Sequence, residues 1–158
     1  MIKTDTPNIF SGSSDSFCAS LTFPTELAFK KGSISKHFPI TDKFGRTYPD
    51  AETAYITHKL RFPKGVKRLN FYIKVAVAKF QQYPELLQGI SDRGGVEWLC
   101  SCQHKTYAKT ARFQWWEGLG RESPFISCLI RAYEVAAGLE ISPSRLLDQP
   151  VQLNLLGE

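Results

Sequence analysis

The chain has 158 residues, 42% of them hydrophobic and 13% aromatic, which suits one domain with a true apolar core and excludes a disordered chain or a metal- or disulfide-stapled miniature. The net charge of +5 points to an anionic partner such as a nucleotide, a nucleic acid or an acidic surface, although scattered lysines also serve solubility. No window reaches the ~18 apolar residues of a membrane span and the N-terminus has no signal-like apolar stretch, so a cytoplasmic chain that keeps away from membranes, with reduced thiols, is expected.

Residues 1–9 read as a loose N-terminal segment of a polar opening stretch, and 17–23 (FCASLTF) as a short apolar piece closed by Pro24. His37–Ile40 and Arg46–Tyr48 flank a turn that uses Gly45, the pattern of a small hairpin. Asp50 is a good N-cap for a helix running to about Lys59 and ending before Pro63. Leu69–Gln82 carries apolar residues at helical spacing, and Pro84 opens a short helix to Ile90. Gly94 and Gly95 break the chain before a predicted strand, Val96–Cys100. Ser123 and Pro124 are a cap and first-turn proline for a helix to Ala137, stopped by Gly138. Ser142–Pro143 repeats that signal for a short last helix. The sum is a single, compact, mainly helical α+β domain over 1–158, with a few short strands and a C-terminal extension, 134–158, whose leucines close the core or a dimer contact.

Glu52 and Lys59 stand out on the helix begun at Asp50. Seven residues turn through about 700°, so both side chains leave one face ~10 Å apart, where they can work on one small molecule. The same placement also suits the helix macrodipole, with the acid in the first turn and the cation in the last. Phe113-Gln-Trp115-Trp116-Glu117-Gly118 joins two indoles that can stack on a base, a carboxylate for proton or ribose contacts and a glycine that lets a ligand approach; the alternative is a pair of core tryptophans. Cys100, Cys102 and His104 supply three potential metal ligands, but not at a zinc spacing, and strand alternation accounts for the cysteines.

The ordered set of segments resembles the NADAR (YbiA-like) family. The chain offers Phe10-Ser-Gly-Ser-Ser-Asp15 and Ser20-Leu-Thr22-Phe23, then Tyr48-Pro-Asp-Ala-Glu52-Thr-Ala-Tyr55-Ile-Thr-His-Lys59 with the Glu-to-Lys spacing of the family. Ala78-Lys-Phe-Gln-Gln82, Val96-Glu97, Trp115-Trp116-Glu117-Gly118 and Pro124–Ile130 follow in the family's order. Family positions for His, Gln and Asn are Thr53, Ile56 and Thr22 here; the region between Lys59 and Phe71 is shortened and 103–112 reads as an insertion. The resemblance implies hydrolysis of an N-glycosidic bond in a ribosylated base or ADP-ribose-containing nucleotide, with ADP-ribosyl-guanine in DNA or RNA as the first expectation and a toxin or defence system as counterpart. It implies no cofactor and no metal. Glu52 or Glu117 would stabilise the oxocarbenium-like ribose, the other handling protons or hydroxyls, and Lys59 would attack the anomeric carbon. Phe17, Phe23 and Trp115 or Trp116 would stack on the base, Thr22, Tyr55, Glu97 and Gly118 would complete the pocket, and Arg46 and Arg121 would meet phosphates. Two other readings are an ADP-ribose- or NAD-binding module without turnover and a basic nucleic-acid-binding protein.

Overall fold

The computed structural model describes residues 6–148. Two long helices, α4 (Val66–Gln82) and α8 (Pro124–Ala137), pack against each other and carry the core. α4 buries Leu69, Tyr72, Ile73, Val75, Ala76 and Phe80, and α8 buries Phe125, Ile126, Leu129, Ile130 and Tyr133. Each such side chain contributes ~1.5–3 kcal/mol on leaving water, so Ile126→Ala alone would cost about 2–5 kcal/mol. α8 starts where expected: the Ser123 hydroxyl accepts from the Ile126 amide, Pro124 takes the first turn and Gly138 ends the helix at φ 71°.

Around this pair lie α1 (Ser16–Ser20), α2 (Thr25–Lys30), α3 (Ala51–His58), α5 (Pro84–Arg93) and α6 (Val96–Ser101), then the short α7 (Ala111–Gln114) and α9 (Arg145–Asp148). The hairpin forms as β1 (Ile40–Thr41) against β2 (Thr47–Tyr48), antiparallel, with Ile40 opposite Tyr48. Asp42 closes its turn by accepting from the Phe44 and Arg46 amides, and Gly45 sits at φ 84°. A second antiparallel pair, β3 (Gln103–His104) and β4 (Gly118–Leu119), ties the two ends of the 103–119 segment together.

Several expectations are corrected. Val96–Cys100 is not a strand but part of α6. Val96 and Leu99 recur one helical turn apart and pack inward while Glu97 faces solvent, so this short segment satisfies the helical period as well as alternation. The N-terminal segment is not loose from Pro7 onward, because Asn8 bridges Gln103 and Ile9 is wholly buried. α5 continues three residues beyond Ile90, and α3 gives way at Lys59 to a 3-10 turn, Lys59–Arg61. The last helix is capped by Ser144 on the Leu147 amide rather than by Ser142. Ser142 instead bonds the buried Glu134 carboxylate, so 134–148 belongs to the domain, with Leu147 in the core. Val151, Leu153, Leu155 and Leu156 lie outside the described residues.

Candidate functional site

Three pieces of chain enclose a cavity of about 460 Å³, within the range of small-molecule sites. One wall is α3 and its 3-10 extension, which supply Glu52, Tyr55 and Lys59. Asp50 builds this wall: its carboxylate accepts from the Thr53 amide and hydroxyl at 2.9 and 2.8 Å, capping α3, and from the Glu26 amide at 3.0 Å, holding α2. A second wall is the turn between α1 and α2, which presents Thr22 and Phe23. The Phe23 carbonyl accepts from the Glu52 amide at 3.2 Å, so the first two walls are joined directly. The third comes from the 103–116 segment, with His104, Thr106, Arg112 and Trp116.

Aromatic rings floor the cavity. Phe23 stacks on Tyr72 at 4.0 Å between centroids, and Tyr72 on Trp116 at 4.6 Å. Trp116 is fixed through its backbone, because the Ser123 hydroxyl donates to its carbonyl at 2.6 Å. Such a stack offers a flat, rigid face to a planar ring.

The electrostatics are those of a partly dry site. Burial, followed by the Asp50 carboxylate, raises Glu52 above the ordinary carboxylate range, while Lys59 pulls the other way. Burial, then Arg112 and Arg68, lower the Lys59 amine, and Glu52 opposes them. Glu52 and Lys59 face the cavity without a salt bridge between them. Burial pushes Tyr55 up to about 12, leaving it a neutral hydroxyl donor. Burial also lowers His104, whose Nδ1 lies 2.6 Å from the Ile9 carbonyl. A carbonyl only accepts, so the neutral ring carries its proton on Nδ1 and keeps Nε2 as an acceptor.

Glu52, Lys59, Thr22, Phe23, Tyr55 and Trp116 are thus brought together, and the other candidates are not. Glu117 braces the third wall: its carboxylate accepts from the Thr106 hydroxyl at 2.5 Å and amide at 2.8 Å. Burial works to raise Glu117, but these bonds outweigh it and hold the carboxyl below its usual range. Phe17 packs between α5 and α6, with the Arg93 guanidinium 3.8 Å above its ring. Trp115 stands edge-on to Trp116 and is 38% exposed. Gly118, at φ 151°, serves a close approach to the Ser123 backbone. Arg46 lies over Tyr48, Arg121 donates to Ser142, and Glu97 is exposed on α6. His104, Arg112, Lys31 and Tyr72 complete the cavity without having been singled out as its residues; the cationic stretch 105–112 and the helical period of α4 were the signals available.

Cys100, Cys102 and His104 do not converge. The Cys102 thiol donates to the Trp98 carbonyl and is pushed by burial up to about 12, and His104 turns to Ile9. Among the described residues no group of three His, Cys, Asp or Glu side chains could hold a metal ion, and no helix is long and apolar enough to cross a membrane. No protein-family model, curated protein or solved structure matches this chain.

Proposed function

We propose that the chain is a hydrolase of the N-glycosidic bond in a ribosylated or ADP-ribosylated base, of the kind that the NADAR resemblance implies. The observation that carries the reading is a carboxyl with a raised pKa and an amine with a lowered one facing a single aromatic-floored cavity. Loss of a base needs a proton on the leaving nitrogen and an electron pair at the anomeric carbon. Glu52, whose pKa burial and the Asp50 carboxylate raise, donates the proton. Lys59, whose pKa burial and the neighbouring Arg112 and Arg68 lower, gives its lone pair to the anomeric carbon as the carbon–nitrogen bond to the base breaks. Ring opening of the glycosylamine leaves a protonated imine on Lys59, and water releases the sugar and restores the amine. His104 Nε2, a free acceptor by tautomer, takes the proton of that water. The leaving base stacks on Trp116, and Lys31 and Arg112 meet the anionic part of the substrate.

The test is base release from an oligonucleotide and from a nucleotide bearing ADP-ribosylated guanine, by wild type, Lys59→Ala and Glu52→Gln. Release by wild type, with losses of at least about 100-fold in both variants, is expected for paired acid and nucleophile roles. Trapping of a covalent adduct by borohydride in wild type and not in Lys59→Ala reads the imine directly. Full activity in both variants would sink the assignment.

A further inference from the structure

Charge is segregated along this chain. Residues 53–84 contain no aspartate or glutamate but carry Lys59, Arg61, Lys64, Lys67, Arg68, Lys74 and Lys79. Residues 98–116 again contain no acid and carry Lys105, Lys109 and Arg112. The two acid-free stretches meet at the cavity mouth: Lys59 and Arg112 both line it, and Arg112 and Arg68 both act on the Lys59 amine.

Aromatic rings are exposed here. Phe113, which lines the cavity, is 51% exposed. Tyr107, between the lining residues Thr106 and Ala108, is 66% exposed, with its ring edge-on to Phe10 at 5.8 Å between centroids. Lys105 Nζ lies 5.2 Å from the Tyr107 ring centre, and the Arg112 guanidinium 5.6 Å from that of Phe113. Tyr107 is held at φ 63°, the left-handed region that a bulky side chain enters only against a steric penalty. Its neighbour Thr106 is clamped by Glu117, and Gln114 holds the Ala108 carbonyl, so the rings project from a braced segment. The Glu117 carboxylate is taken up by Thr106, and exposed rings interleaved with cations are what an unpaired strand needs: π-faces for bases and positive charge for the backbone.

We propose that the rim of the cavity is a track for a single strand of nucleic acid. Bases stack on Tyr107 and Phe113, phosphates lie against Lys105, Lys109 and Arg112, and the base that enters the cavity belongs to a polymer. The polymer's role as substrate rests on the glycosidase reading; the track itself does not. A duplex fits poorly, because its bases present no free faces to the rings.

The test is fluorescence anisotropy with an unmodified labelled 12-nucleotide DNA strand, the same RNA strand, the corresponding duplex, and polyglutamate as competitor. Wild type should bind the strands at least about 10-fold more tightly than the duplex, and the two strand arms tell DNA from RNA. With three phosphates neutralised, affinity should fall about 20-fold between 50 and 200 mM salt. Tyr107→Ser with Phe113→Ser should weaken binding about 100-fold, two rings at about 10-fold each, with an unchanged circular dichroism spectrum. Lys105→Gln with Lys109→Gln should flatten the salt dependence. Equal binding of duplex, displacement by polyglutamate as effective as by strand, or indifference to the two rings would overturn the track. Strand binding that needs the rings, with no base released from any ribosylated substrate, would instead leave the track standing and remove the glycosidase reading.

Discussion

Lys79→Met removes a buried amine from beneath the wall that presents Thr22 and Phe23. Lys79 is buried on α4, and its Nζ donates to the Ser20 and Thr22 carbonyls, each at 2.6 Å. Burial lowers the amine from 10.5 to about 7, against the pull of Asp50. The folded-state value lies below the unfolded one, so the unfolded chain holds the proton more tightly. The stability contribution of this group is therefore complete above pH 10.5 and is lost as pH falls toward about 7. A gap of 3.5 (10.5 less 7) at ~1.4 kcal/mol per unit is about 5 kcal/mol over the window. Methionine has no such titration, and it leaves two carbonyls unpaired at about 1–3 kcal/mol each, so the proteins converge in stability near neutral pH. Urea unfolding followed by tryptophan fluorescence, with reductant present, measures both at pH 7.5 and 8.5. The advantage of wild type over Lys79→Met should shrink by about 1.4 kcal/mol on going down that one unit. Cys18, Cys102 and Cys128, pushed by burial up to about 12, titrate with the opposite sign from 9.0 upward, and they cancel in the difference. Parallel curves across the window would refute the reasoning, because they would mean that the folded amine titrates at its ordinary value.

Three further outcomes follow from the site. Base release should show an acid limb above the 4.5 of an ordinary glutamate and an alkaline limb below the 10.5 of an ordinary lysine, read from kcat/KM against pH; limbs at the ordinary values would separate Glu52 and Lys59 from the chemistry. Glu117→Ala should cost about 1–3 kcal/mol in urea unfolding by freeing Thr106, and it should weaken strand binding. Gly120→Ala should cost about 3 kcal/mol or more, since its Cβ would stand 2.4 Å from the Cys100 carbonyl oxygen at φ 54°; a thermal midpoint within a degree of wild type would contradict it.

Local chemistry was the legible part of the fold. Ser123, Pro84, Gly45 and Gly138, and Asp50 in its role as helix cap, act on backbone groups within four residues, and each does what its side chain or missing side chain permits. Val96–Cys100 was not legible, because Val96, Leu99 and Cys102 fit a helical face while 96–100 also alternates. At the site, Glu52 and Lys59 could be paired from spacing within one helix, which tertiary packing then left intact. Trp115 and Trp116 could not be told apart, since about 100° of helical rotation decides which indole meets Tyr72. Glu117 has the right chemistry for a catalytic acid, and only the approach of Thr106, eleven residues away, commits it to bracing.

The carboxylate of Asp50 ties Glu26 to Thr53, and the Phe23 carbonyl ties in Glu52. Two walls of the cavity therefore have no independent opening. In hydrogen–deuterium exchange, the amide protons of Glu26, Glu52 and Thr53 should be released by one shared fluctuation, with one opening free energy, although they lie in separate helices. A ligand that grips either wall slows exchange at both, so the cavity responds to its occupant as a single cooperative unit.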